Sequence, residues 1–335
     1  MKHYNIPIFV PHQGCPHQCA FCNQRTITGV KTKTQDVHRI VSEHLQTLPK
    51  HGAEIEIAFF GGSFTGIEQD FRRSLLETAY HYVKNGSVKG IRLSTRPDYI
   101  SPEILEELLQ FGVTTIELGV QSLDEGVLSA CLRGHTAEDV YQAVAEIRKY
   151  PFLLGLQMMT GLIGDTDEKA IQTAEKIIAI KPDFVRIYPT LVLEGTLLGE
   201  YYQQGIYQPQ ELDAAVKLCS SLLKRFRKAK IPVIRIGLPA SDELSPGSAV
   251  LAGPCHSAFG ELVESELYFE KMCKIAPKTS GAVFAVAPGE LSKAIGNRKR
   301  NLERYETQFL QPVQIIPDAE VEKGQIRLVN RKGVE

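Results

Sequence analysis

Three of the seven cysteines stand close together as Cys15-x3-Cys19-x2-Cys22. Thiolate is a soft ligand, and three on one short loop can hold three corners of a cuboidal [4Fe–4S] cluster. The next cysteine is Cys131, so no fourth thiolate lies nearby. An iron left open in this way can bind and activate a second molecule. Zinc is the rival occupant, because His12 and His17 are close to the cysteines and a structural zinc site wants four protein ligands. A disulfide would leave one of the three thiols without a partner. The pattern therefore offers redox or metal chemistry at the very start of the chain.

A reactive loop needs a frame. Apolar strand-like runs fall at 6–11, 54–60, 91–95, 114–120, 152–159 and 183–188. Helical spacing separates them, over 35–48, 71–83, from Ser101-Pro102, and over 136–149 and 169–180. Six strands alternating with helices predict a parallel sheet with right-handed crossovers. In such folds ligands gather at the C-terminal ends of the strands. The unusual residues fall there: Gly61-Gly62-Ser63 after the second strand, Ser94-Thr95-Arg96 after the third, Gln121-Ser122 after the fourth, Gly161 to Gly164 after the fifth and Tyr188 at the sixth. After a long helix at 210–228, residues 232–236 read as a further strand. Beyond 238 the βα rhythm stops: a Pro/Gly/Ser-rich loop is followed by a helix at 261–273, a basic stretch and two short strands.

Bulk properties exclude several classes. The 335 residues are 43% hydrophobic and 23% charged, ordinary for a globular protein. A formal net charge of −1 gives no global basic field for nucleic acid. No apolar run approaches the roughly 18 residues of a membrane span. The start has no signal-peptide layout, so a reducing, cytoplasmic setting is expected, which suits an oxygen-sensitive cluster.

Cys-x3-Cys-x2-Cys with Phe21 just before the third cysteine resembles the cluster loop of the radical S-adenosylmethionine (radical SAM) superfamily. The resemblance implies an α/β fold, a partial (β/α)6 TIM-type barrel, here over 1–237, with residues 238–335 as an extension capping it. It implies a [4Fe–4S] cluster on Cys15, Cys19 and Cys22, with SAM chelated at the open iron. One electron then breaks the sulfonium, and a 5′-deoxyadenosyl radical abstracts hydrogen from a substrate. An electron donor such as a flavodoxin or ferredoxin is implied as well. Gly61 and Gly62 match the segment that contacts the SAM amino group, with Ser63 where an acid is commonest. Gly161-Leu162-Ile163-Gly164 is similar to the turn that shapes the adenine pocket, and Tyr188 is a candidate for the adenine or the substrate.

Other candidates keep two readings. Glu117 interrupts an apolar strand, where an unpaired carboxylate is costly. It either pairs with Arg92 or Arg96 or hydrogen-bonds to SAM. Ser94, Gln121 and Ser122 suit polar ligand recognition. Arg133 reaches the SAM carboxylate or pairs with an acid.

Residues 93–101, 117–124, 133–136, 188–196 and 252–259 sharpen the resemblance, toward the radical SAM domain of the Elongator catalytic subunit family. It runs from about residue 5 to about 270. That family's domain acts with an acetyltransferase domain on wobble uridines of transfer RNA. About 65 residues follow residue 270, short of a typical domain, so no acetyltransferase domain is expected here. The closeness of Cys15 to Met1 likewise predicts no basic N-terminal extension.

The leading expectation is a radical SAM enzyme of unidentified substrate, with a transfer-RNA nucleoside among the candidates. The alternatives are a non-catalytic RNA-binding or regulatory iron–sulfur protein, supported by Lys293, Arg298, Lys299, Arg300 and Arg304, and a zinc protein. Cys131, Cys219, Cys255 and Cys273 are not expected to bind the cluster. The segment 238–259 is expected to close over the substrate, with Cys255 and His256 as candidate reacting groups.

Overall fold

The alternation of strand and helix is realised as one parallel sheet. A computed structural model of the protein describes residues 2–10, 18–23, 33–49, 52–238, 249–277 and 281–329. Cys15, His12 and His17 lie outside these residues, as does 239–248 of the expected lid. The chain divides into two compact units, 1–211 with 225–255, and 212–224 with 256–335.

In the first unit the elements run β1 (Lys2–Val10), α1 (Thr34–Thr47), β2 (Ala53–Gly61), α2 (Gln69–Lys84), β3 (Gly90–Thr95), α3 (Pro102–Gln110) and β4 (Val113–Gln121). Then follow α4 (Glu125–Ala130), α5 (Ala137–Ile147), β5 (Leu153–Thr160), α6 (Asp167–Ile180), β6 (Phe184–Pro189), β7 (Val192–Leu193) and α7 (Leu197–Gln203). The long helix α8 (Leu212–Lys228) leads to β8 (Val233–Ile236) and β9 (Val250–Ala252). The main sheet has seven strands in the order β1-β2-β3-β4-β5-β6-β8, all parallel. Strands β1 and β8 are its two edges, so the barrel is partial. Its seventh strand is the one read at 232–236. Pro7 stands in the middle of β1, which its place on an edge strand allows. The sequence reading missed α4, β7 and α7, each too short to carry a period.

Strand period 2 splits the sheet into two chemistries. Ile6, Ile8, Ile57, Phe59, Ile91, Leu93, Ile116 and Leu118 alternate onto one face and are fully buried. Burying each such side chain favours the fold by about 1.5–3 kcal/mol. The helices behind them start at side-chain caps: the Ser101 hydroxyl accepts from the amide of Ile104 (3.4 Å), Asp124 from Val127 (2.9 Å) and Thr136 from Asp139 (3.2 Å). Such caps satisfy amide groups that the first helical turn leaves orphaned.

The other face carries polar residues. Glu56, Arg92, Glu117 and Arg186 form a run of alternating charge across β2, β3, β4 and β6. Arg92 Nε lies 3.5 Å from both Glu56 and Glu117, and Arg186 Nε lies 2.6 Å from Glu117. Gly155 makes room for it, since a Cβ there would fall 2.3 Å from the Phe184 ring and 3.1 Å from Glu117 Cγ. This paired belt solves the cost of burying charge inside a barrel.

The second unit holds residues 212–224 of α8, α9 (Phe259–Lys274), β10 (Ala282–Val286), α10 (Leu291–Ile295), α11 (Arg300–Phe309), β11 (Val313–Pro317) and β12 (Ile326–Leu328). Strand β10 pairs parallel to β11 and antiparallel to β12. Phe284, Tyr305 and Met272 centre its core. The basic stretch is not the free patch that the sequence offered in support of RNA binding. Lys293 pairs with Glu290 (3.5 Å), Arg300 with Asp213, and Arg304 with Glu266, its guanidinium 3.7 Å from the Phe269 ring centre. Three of its five cations are spent inside the unit.

Candidate functional site

The polar face of the first unit opens, at the C-terminal ends of the strands, into a pocket of about 500 Å³. That volume lies in the range of small-molecule and cofactor sites. Cys19 and Cys22 line it together with Phe21. The second half of the cysteine loop is tied down by backbone groups. The Ala20 amide donates to the Cys131 carbonyl (2.9 Å), and the Ala20 carbonyl accepts from the Leu198 amide (2.7 Å). Asn23 Nδ2 donates to the Glu194 carbonyl (3.0 Å), and the Cys22 amide turns back onto the Cys19 carbonyl (3.0 Å). The loop is thus held by the segments that follow β4 and β6.

Gly61, Gly62 and Ser63 line the same pocket, with Gly61 at φ +105°, where a side chain would be strained. Ser63 is committed locally. Its hydroxyl shares a hydrogen bond with Thr95 Oγ1 (2.9 Å) and accepts from the Arg96 amide (3.2 Å). It therefore pins the glycine turn to the end of β3. Ser94 lines the pocket and accepts from Gln157 Nε2 (3.1 Å).

Gln121 lines the pocket from a left-handed backbone position (φ 64°), at a register shift in the β4–β5 pairing. Its Oε1 is buried and accepts no hydrogen bond among the described residues, an acceptor held ready for a donor. Ser122 faces away: its hydroxyl lies 3.4 Å from Thr173 Oγ1 and accepts from the Asp124 amide (3.2 Å). Arg133 lines the pocket, donating through Nη2 to the Gly119 carbonyl (2.7 Å) and through Nη1 to Cys19 Sγ (3.4 Å). Among the described residues it pairs with no acid; its side-chain partner there is a cysteine of the metal motif.

Glu117 takes the structural course. It is fully buried beneath the pocket, accepting two hydrogen bonds from Arg186 (2.6 and 3.0 Å) and one from Gln157 (3.0 Å). Arg92 is one of its partners, as expected; Arg96 instead pairs with Asp98 (2.8 Å). Tyr188 lines the pocket, and burial holds its phenol above the usual value.

The turn from Gly161 to Gly164 backs the cysteine loop and is not part of the pocket lining. The Gly161 amide donates to Asp165 (3.0 Å) and its carbonyl accepts from the Tyr207 hydroxyl (2.5 Å). Ile163 and Leu162 pack with Phe21. Burial pushes the Asp165 carboxyl up to about 6.

Cys131 is buried, its thiol pushed up to about 12 by burial, an inert position compared with the loop thiols. Cys219 is buried and Cys273 half-buried on helices. Cys255 packs with Leu191, Leu193 and Leu238, which line the pocket, but is not itself in the lining. His256 belongs to the second unit, where its Nδ1 accepts from the Ala258 amide (3.1 Å).

Sequence reasoning passed over Asn5, Gln157, Arg186 and Arg235, which also line the pocket. The signal was present: each is polar and alternates with apolar residues in its strand, the argument that singled out Glu117.

Among the described residues no three His, Cys, Asp or Glu side chains converge on a metal position. With Cys15 outside that set, the donors in view are two thiols on one tight turn. They fit a thiolate-held cluster, and the unpaired Gln121 acceptor beside them fits the donors of SAM. No helix among the described residues is long and apolar enough to cross a membrane.

The chain is similar to several known proteins. A tRNA uridine(34) acetyltransferase of Methanocaldococcus jannaschii is 27% identical over 308 residues, covering 79% of this chain and 55% of its own length. Elongator complex protein 3 of Saccharomyces cerevisiae is 30% identical over 202 residues, 54% of this chain and 36% of its own. The chain spans about half the length of the curated relatives it matches first. A solved structure of N-terminally truncated Methanocaldococcus infernus Elp3 shares the fold, with a TM-score of 0.61 at 24% identity over 81% of this chain and 63% of that one. Residues 182–268 match the radical SAM C-terminal domain. Residues 9–177, half of the chain and all of the cysteine loop, match the model of the radical SAM superfamily, to which this protein belongs.

Proposed function

We propose that the protein cleaves S-adenosylmethionine reductively at a [4Fe–4S] cluster held by Cys15, Cys19 and Cys22, and removes hydrogen from a transfer-RNA nucleoside. The observation that carries this reading is the convergence of Cys19, Cys22, Gly61, Gly62 and Gln121 on one pocket. When bound, the cluster and SAM supply one-electron cleavage of the sulfonium C5′–S bond and hydrogen abstraction by carbon. The chain does the rest. Main-chain groups at Gly61 and Gly62 receive the SAM ammonium, and Gln121 Oε1 accepts from a ligand N–H or O–H. Phe21, Met159 and Tyr188 wall the pocket with apolar surface that keeps water from the reacting carbon. Arg133 fixes the rotamer of Cys19. The single electron comes from a small carrier of the flavodoxin or ferredoxin class.

Transfer RNA enters from the names of the relatives. Formation of 5′-deoxyadenosine by the reduced protein should rise several-fold when unfractionated transfer RNA is added. Transfer RNA from cells grown in deuterated medium should pass deuterium into the nucleoside product. Stimulation by a protein or small-metabolite fraction, with none by transfer RNA, would remove RNA as the substrate.

A further inference from the structure

We propose that Arg235 is the contact for an anionic oxygen group of the substrate, a backbone phosphate next to the reacting nucleoside. This rests on the transfer-RNA reading above. Among the described residues the pocket lining contains four arginines and no aspartate or glutamate. Three of the four are committed within the protein. Arg96 donates twice to Asp98 (2.9 and 2.8 Å), and Arg186 twice to Glu117 (2.6 and 3.0 Å). Arg133 spends both terminal nitrogens on the Gly119 carbonyl and Cys19 Sγ. Arg235 has neither an ion-pair nor a hydrogen-bond partner among the described residues, and it is exposed on the edge strand β8.

A second observation points the same way. Arg235 is the register partner of Arg186 on the neighbouring strand, and both arginines line the pocket. Like charges directly opposite one another destabilise a sheet. Among the described residues the only carboxylate paired with either arginine is Glu117, on Arg186, and it is shared with Arg92 as well. Among the described residues, Arg235 therefore has no counter-charge on this side of the pocket. A fold keeps such a mismatch where a ligand cancels it, and a guanidinium fork matches phosphate and carboxylate geometry. The SAM carboxylate is the other possible source. It belongs at the open iron, beside Cys19, where Arg133 stands; Arg235 extends from the sheet edge.

The test uses the whole, anaerobically reconstituted protein and a fluorescein-labelled transfer-RNA anticodon stem-loop, followed by anisotropy from 50 to 200 mM salt. Arg235→Gln should weaken RNA binding about tenfold at the lowest salt and reduce the salt slope by about one. Arg235→Lys should restore part of the loss. SAM affinity, measured by equilibrium dialysis, should not change in either variant. Because Arg235 is exposed, melting temperatures should match wild type. If the wild type binds the RNA and Arg235→Gln binds it equally well, the phosphate contact is refuted and the transfer-RNA reading stands. If SAM affinity falls while RNA affinity holds, the residue serves the SAM carboxylate and the proposal is overturned. If the wild type does not bind the RNA, both readings fall together.

Discussion

Replacing Glu117 with alanine is expected to cost about 3–5 kcal/mol of stability, the range for breaking a buried ion pair by removing one partner. That is a large share of the 5–15 kcal/mol typical of a folded domain. The carboxylate is fully buried and accepts three hydrogen bonds, two from Arg186 and one from Gln157. Without it, Arg186 keeps a buried guanidinium with no counter-charge, and Arg92 retains only Glu56. The alanine variant also leaves a void where Glu117 Cγ meets the backbone at Gly155. Glu117→Gln keeps the shape and removes the charge, so it isolates the electrostatic part. Adding Arg186→Met to Glu117→Gln should recover some of the loss, because both sides of the pair are then neutral. Urea unfolding midpoints at unchanged slope measure this directly. A Glu117→Gln protein that unfolds within about 1 kcal/mol of wild type but no longer binds SAM would make Glu117 a ligand residue instead.

The second large effect concerns the metal. Alanine at Cys15, Cys19 and Cys22 together should abolish the brown iron–sulfur absorbance and bring iron and sulfide per chain close to zero. A cluster on three thiolates has no other protein ligand to fall back on. Serine at Cys131, Cys219, Cys255 or Cys273 should leave a full four-iron complement. Cys131 is the sharpest control. Its carbonyl anchors the loop at Ala20, yet its thiol is buried and held protonated. Full iron content in the triple variant, or loss of iron in any of the four serine variants, would mean that the ligand set is misassigned. A colourless wild-type protein carrying zinc would point to the rival metal.

The βα alternation was legible because the strands announce themselves by a continuous apolar face and several of the helices by a cap. Ser101-Pro102 and Thr136 both start helices as their residue types predict. Short elements such as β7 and α4 were not legible, since two strand residues or six helical ones carry no period. In the site, single-strand patterns exposed Glu117 but could not name its partners. Arg186 lies 69 residues away and meets Glu117 across β5, a contact set by sheet order, which no local pattern encodes. The same limit separates Gln121 from Ser122. Adjacent strand-end residues look alike in sequence, but the left-handed turn at Gln121 sends one into the pocket and the other toward α6. In the basic stretch from Lys293 to Arg304 the cations are close in sequence, while the acids that pair with Arg300 and Arg304 lie elsewhere in the chain.

Reductive cleavage of S-adenosylmethionine is the most direct measurement of all. The protein, reconstituted anaerobically with iron and sulfide and reduced with dithionite, should convert SAM to methionine and 5′-deoxyadenosine in equal amounts. The same preparation with alanine at Cys15, Cys19 and Cys22 should give none. A wild-type protein with an intact, fully reduced four-iron cluster that forms no 5′-deoxyadenosine, with or without transfer RNA, would contradict the assignment of radical SAM chemistry to this pocket.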